Sequence, residues 1–260
     1  MQIYVFQNTP FQMLSWEFFL MLGLVVVITA AIIERPKGFP IGVTGCIFLG
    51  VLLGLFGLFG TKFMAMIIRW NGLGLDHSPI DGPLAVVSGW AYLGSVPALL
   101  LAIALFTKLR LRKIGFWTVT DYLAPFLLLH QAFVRIGCFA SGCCYGKPTG
   151  LPWGCLFRDK VLRHPTQIYE ICYIVLIFIV MRHVYRKGAP PAVTYLGCMC
   201  LYGGFRFFNE FLRVDSLPVV GPLTVANLTM LGISVISGFA IVIILQLKRS
   251  AKVKIQKSLI

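Results

Sequence analysis

Residues 223–247 read LTVANLTMLGISVISGFAIVIILQL, without a single charged side chain, and the segment that follows carries Lys248, Arg249, Lys252, Lys254 and Lys257. A helix needs about 20 mostly apolar residues to cross the roughly 30 Å hydrocarbon core of a bilayer. This stretch is long enough, and the lysines and arginines mark where it meets water. Working back toward the N-terminus, six further stretches of the same kind lie at approximately 15–34, 41–61, 83–107, 117–139, 166–182 and 191–212. The composition agrees: 260 residues are 58% hydrophobic and 12% charged, with a mean hydropathy of +0.86. A soluble domain of this length does not look like that. The predicted fold is an all-α polytopic membrane protein with seven transmembrane helices.

Orientation follows from the basic residues, because short loops rich in Lys and Arg stay on the cytoplasmic side. Arg35 and Lys37 follow the first stretch, and Lys108, Arg110, Arg112 and Lys113 follow the third. Arg182, Arg186 and Lys187 end the fifth, and the five cations named above follow the seventh. These alternate loops are assigned to the cytoplasm, which places the N-terminus in the periplasm and the C-terminus in the cytoplasm. Fourteen of the 23 basic residues fall in these four segments, so the net charge of +14 is explained by an anionic leaflet and predicts no nucleic-acid partner. The first stretch has no basic segment before it and Arg35 after it, and it reads as a mature helix rather than a cleaved signal. No linker, low-complexity tract or internal repeat breaks the chain, so residues 1–260 are read as one domain and an inverted-repeat transporter is disfavoured.

Four of the eight cysteines, Cys46, Cys172, Cys198 and Cys200, fall inside apolar stretches and read as small packing residues. Cys138, Cys143, Cys144 and Cys155 lie at or beyond the outer end of the fourth stretch, in an oxidising compartment where Cys155 could pair with Cys143 or Cys144. Their spacing matches no zinc arrangement and His164 stands alone, so neither metal nor cofactor is predicted.

Charge inside a membrane segment is expensive and normally faces a polar interior. Tyr202, Arg206, Glu210 and Arg213 recur at intervals of four, four and three, which would place all four on one helix face near its outer end. Such a face could be a purely structural Arg–Glu lock. Two other segments bring similar groups to the same level. The fourth stretch ends on RIGCFASGCCYGKPT (135–149), whose glycines, Arg135 and Lys147 would admit an anionic headgroup to backbone amides and cations. The fifth begins with HPTQIYE (164–170), where Pro165, just after His164, marks a helix start and Gln167 and Glu170 then lie inside the membrane interface.

These two strings, together with YGGFRFFNEFLR (202–213), resemble in order and separation the three C-terminal signature blocks of the prolipoprotein diacylglyceryl transferases. The resemblance covers about residues 120–235. It implies a multi-pass enzyme of the bacterial inner membrane that moves the diacylglyceryl group of phosphatidylglycerol to the lipobox cysteine thiol of a prolipoprotein, releasing glycerol phosphate. Its partners would be the phospholipid donor, the precursor's signal peptide and the surrounding membrane lipids. Motif by motif, Arg135, Arg206 and Glu210 are similar to the family's essential residues. Tyr202, Arg213, His164, Gln167, Tyr169, Glu170 and Lys147 are assigned to substrate binding. Independently, a departing glycerol phosphate dianion calls for cations, and the planar fork of arginine suits it. Glu210 could orient Arg206 or take a proton from the nucleophile.

The chain departs from the family pattern in three places. The third stretch reads VSGWAYLG (87–94) where the family carries His-Gly-Gly, leaving Ser88, Tyr92 or His77 as substitutes; Val134 replaces a glycine, and Cys138 stands at an Asn position. These changes leave two alternatives open: a paralogue using the same donor with another acceptor, and a non-enzymatic lipid-binding or transport protein.

Overall fold

The computed structural model describes residues 4–5, 13–36, 39, 41–70, 91–110, 115–157, 159–214 and 218–258. Among them are seven long helices: α1 Ser15–Ile33, α2 Val43–Trp70, α3 Ala91–Arg110, α4 Phe116–Ser141, α5 Thr166–Arg186, α6 Val193–Glu210 and α7 Val225–Ser258. Three short antiparallel pairs join parts of the connections: β1 (Tyr4–Val5) with β2 (Met13–Leu14), β3 (Cys155–Leu156) with β4 (Leu162–Arg163), and β5 (Pro218–Val220) with β6 (Leu223–Thr224). Helix is the form expected of apolar segments in lipid, because it satisfies every backbone group within the segment.

Among the described residues, four helices are long and apolar enough to cross a membrane, over Val43–Met64, Phe116–Ser141, Thr166–Arg186 and Val225–Ala251. The protein is therefore a mostly helical, polytopic membrane protein. The apolar parts of α1 and α3 are shorter, Glu17–Ile33 and Gly94–Leu109, and α6 interrupts its apolar face with Arg206 and Glu210. Residues 83–90, the expected start of the third stretch, lie outside the described residues, as does His77. α7 has 34 residues and is therefore about 51 Å long, some 20 Å more than a bilayer core, so its apolar part ends well before its last turns. Val235, Ile236 and Phe239 are exposed along it, as side chains bathed by lipid would be.

The chain forms two compact units, one of Leu24–Thr120 and one of Met1–Gly23 with Asp121–Ile260. In the first, α2 and α3 meet at Gly60 and Gly94, where a Cβ on either residue would strike the other's carbonyl oxygen. Helices pack that closely through small residues when lipid removes the hydrophobic drive between them. Leu49, Leu53, Ala102, Ile103 and Phe106 are buried in this unit.

In the second unit, α6 approaches α7 at Gly203, where a Cβ would lie 2.7 Å from the Met230 carbonyl. Ser234 donates to the Cys200 carbonyl at 2.8 Å beside it. The start of α6 is set by Ala192, held at φ 71° after two prolines, and by Asp121 of α4. The Asp121 carboxylate accepts from the Ala192 and Tyr195 N–H groups at 2.6 and 2.8 Å, doing from another helix the work of an N-cap. α7 starts on a reciprocal cap, the Thr224 N–H donating to Asn227 Oδ1 and the Asn227 N–H to Thr224 Oγ1.

The far end of α6 differs from the expected helix through residue 212. The helix stops at Glu210, and Arg213 lies beyond it in an antiparallel bridge with Gly146. Arg213 thus reaches the level of Arg206 and Glu210 by way of a turn, its N–H still bonded to the Glu210 carbonyl at 3.1 Å.

Candidate active site

The second unit brings the three polar segments together where α4 ends, α5 begins and α6 ends. Glu170, where the second turn of α5 begins, is their hub and is almost wholly buried. Its Oε1 lies 3.0 Å from Arg135 Nε and accepts from the Tyr202 hydroxyl at 2.8 Å. Its Oε2 is 4.0 Å from Arg206 Nε. Arg206 Nη1 then lies 2.6 Å from Glu210 Oε2, an ion pair off the line of a good hydrogen bond, and Arg213 Nε is 3.7 Å from the same oxygen. Three guanidiniums and two carboxylates therefore form one connected chain with a surplus positive charge. Tyr202, Arg206, Glu210 and Arg213 are all buried, whereas the Arg135 side chain keeps 14% of its surface exposed.

Such an array is stable only if the remaining polar groups are also engaged. Thr166 Oγ1 donates to the Cys144 carbonyl at 2.8 Å and Gln167 Nε2 to the Cys143 carbonyl at 2.5 Å, so the first turn of α5 grips the loop after α4. Asn209 Nδ2 donates to the Thr166 carbonyl at 3.2 Å, tying α6 to the same turn. Gly146 is the point where the loop passes between its neighbours. A Cβ there would sit 2.6 Å from His164 Cβ and 2.8 Å from the carbonyls of His164 and Leu212. On either side of it, the Gly146 N–H donates to the His164 carbonyl and the Lys147 N–H to the Leu212 carbonyl.

The predicted residues separate into three groups. Arg135, Glu170, Tyr202, Arg206, Glu210 and Arg213 form the charged chain, and Gln167 braces it. His164 and Tyr169 form another feature, with His164 Nδ1 3.2 Å from the Tyr169 hydroxyl, which also accepts from Trp153 Nε1 at 3.0 Å. The Lys147 side chain is exposed, and its backbone is what ties the loop to residues 164 and 212. All eight cysteines are free, so the pairing considered for Cys155 is not formed. Thr166, Asn209 and Cys144 also belong to this site through the Thr166–Cys144 and Asn209–Thr166 bonds, and neither charge nor helical interval in the sequence marks them. Cys138, Cys143 and Cys144 lie beside the charged chain, with Arg135 Nη1 3.8 Å from Cys138 Sγ and the Cys143 thiol donating to the Cys138 carbonyl at 3.5 Å.

The chain matches the family described as prolipoprotein diacylglyceryl transferase over residues 3–245. It belongs to that family. A phosphatidylglycerol–prolipoprotein diacylglyceryl transferase of Cupriavidus pinatubonensis is 36% identical over 144 residues, covering 50% of this chain and 50% of the relative. Its counterpart in Methylococcus capsulatus is 34% identical over 164 residues, 62% of each chain. That of Cupriavidus metallidurans is 34% identical over 173 residues, 64% of this chain and 59% of the relative. The chain thus spans between half and two thirds of these relatives' lengths in the matched segments. Within the prolipoprotein diacylglyceryl transferase family match lie all three motif segments that build the charged chain.

Proposed function

We propose that this protein transfers the diacylglyceryl group of phosphatidylglycerol to the lipobox cysteine thiol of a prolipoprotein at the periplasmic leaflet of the bacterial inner membrane. The observation that carries the reading is the chain Arg135–Glu170–Arg206–Glu210–Arg213, assembled from the three motif segments inside a family match. The names of the relatives support the donor and acceptor. All seven helices cross the membrane with the N-terminus in the periplasm, and residues 1–260 act as one domain; a family match that runs through both units supports this.

In the reaction, the acceptor sulfur attacks the glyceryl carbon that bears the phosphate ester, an S–C bond forms and the C–O bond breaks. The thiol proton leaves, and glycerol phosphate departs with the bonding electrons. Arg135, the most exposed of the three guanidiniums, and Arg206 hold the phosphate whose charge grows as the bond breaks. Glu170 and Tyr202 fix their directions, and Glu210 orients Arg206 or receives the proton. His164, Gln167, Tyr169, Lys147 and Arg213 border the path of lipid and peptide. This reading requires an amphipathic site that opens to both the outer leaflet and water.

The test is transfer of labelled diacylglycerol from phosphatidylglycerol to a lipobox peptide by purified wild type, Arg206→Ala and Glu210→Gln. Transfer by the wild type and its loss in both variants is expected. No transfer by well-folded wild type would retire the assignment, and activity retained in both variants would move the chemistry elsewhere.

A further inference from the structure

Cys138, Cys143 and Cys144 are separated by intervals of five and one, which fits no familiar ligand pattern, yet their sulfurs all lie within 4.8 Å of one another. The backbone between them is what achieves this. Cys138 sits on the last turn of α4, and its carbonyl accepts from the Cys143 N–H at 3.1 Å. Gly142 then takes φ 68° and Cys144 takes φ 63°, two left-handed residues within three positions. A left-handed conformation is unfavourable for a residue with a Cβ, and it persists only where the surroundings impose it. Here they do: Thr166 and Gln167 hold the carbonyls of Cys144 and Cys143.

Three sulfurs bound to one metal at about 2.3 Å stand roughly 4 Å apart, the spacing this loop already approximates. Thiolates are soft donors that select zinc or cuprous ions over magnesium or calcium, which want oxygen. Charge also fits. Three thiolates around Zn2+ leave one negative charge, or two around Cu+, and Arg135 Nη1 lies 3.8 Å from Cys138 Sγ. The guanidinium that would repel a bare cation therefore stabilises the thiolate complex.

We propose that Cys138, Cys143 and Cys144 form a three-thiolate site for a thiophilic closed-shell cation, Zn2+ or Cu+, which pins the loop after α4 beside the arginine chain. Each thiol surrenders its proton to solvent on binding, and no sulfur changes oxidation state. The site stands on these residues alone and is independent of the transferase reading. Its consequence is mechanical: the metal joins the turn that carries Arg135 to the loop that, through Gly146, is bridged to Arg213.

The experiment is metal analysis of full-length protein purified in detergent with a tag that lacks histidine, then dialysed against micromolar Zn2+. About one equivalent of zinc plus copper per chain is expected, falling at least about fivefold in Cys144→Ser and in Cys138→Ser but not in Cys172→Ser, since loss of a ligand sharply weakens binding. Cobalt loading of the wild type alone gives a second readout that does not depend on a variant folding. A thiolate-to-cobalt charge-transfer band supports the site. Stoichiometry below about a tenth of an equivalent, or absence of that band, overturns it. So does peptide mapping that finds any two of the three cysteines linked as a disulfide in protein prepared without oxidant.

Discussion

The helices α4, α5 and α6 bury charge toward both of their ends, and they do it differently. At one end Arg182 of α5 lies over the rings of Tyr122, Phe126 and Tyr185, at 5.6, 4.6 and 5.3 Å from their centres, while Asp121 accepts backbone N–H groups at the head of α6. At the other end, about 20 Å away along α4, three arginines share two glutamates. Aromatic faces and helix ends complete the first arrangement with the protein's own groups. The second is a surplus of cations held in a ready geometry, which is the form expected where an incoming anion supplies the missing charge. Burial by itself does not distinguish a working charge from an architectural one; what surrounds the charge does.

That contrast can be broken by substitution, and the largest effect belongs to the arginine end. Arg206→Ala should reduce transfer about 100- to 1,000-fold, the usual result of removing one pre-set donor to a developing charge, with a melting temperature close to that of the wild type. If the Arg206–Glu210 pair were architectural, the variant would instead lose roughly 3–5 kcal/mol and fold poorly. Thermal melting and turnover measured on the same preparation separate the two.

Gly146→Ala should be the next most damaging, by about 1–3 kcal/mol, because the added Cβ meets two backbone carbonyls and His164 Cβ, none of which is a flexible tip. Gly150→Ala is the control, since a Cβ there meets nothing within 4 Å. Equal melting temperatures for the two variants would show that the loop yields.

At the opposite end, Arg182→Ala should cost about 1–2 kcal/mol through lost contact with the aromatic rings and leave transfer per folded molecule unchanged. Asp121→Asn should cost about 1 kcal/mol, because the amide keeps one acceptor for the two N–H groups at the head of α6. Chemical denaturation in detergent reads both, and a fall in turnover of the folded Arg182→Ala protein would erase the distinction between the ends.

Much of the arginine end can be read along the chain. The four-residue interval from Tyr202 to Arg206 to Glu210 becomes a shared buried face because α6 is helical over that span. Glu170 was visible as a polar residue behind a helix start, but not as the hub, since its partners lie 35, 32 and 36 residues away at Arg135, Tyr202 and Arg206. Asp121 left no signal at all: nothing in its own neighbourhood says that it will cap a helix 71 residues later.

The amino-acid sequence by itself determined that this is a helical membrane protein, where its apolar segments lie, and which three segments carry the chemistry. Those properties follow from local pattern: apolar length, helical interval and residue type act within a few turns of chain. Only the tertiary structure decided that Glu170 links two arginines, that Arg213 returns through a bridge to Gly146, and that Cys138, Cys143 and Cys144 face one another. These depend on where a helix stops and on two left-handed residues in one loop, and both are settled by packing against other helices. The decisive contacts form between segments far apart in the chain, and no local preference encodes them.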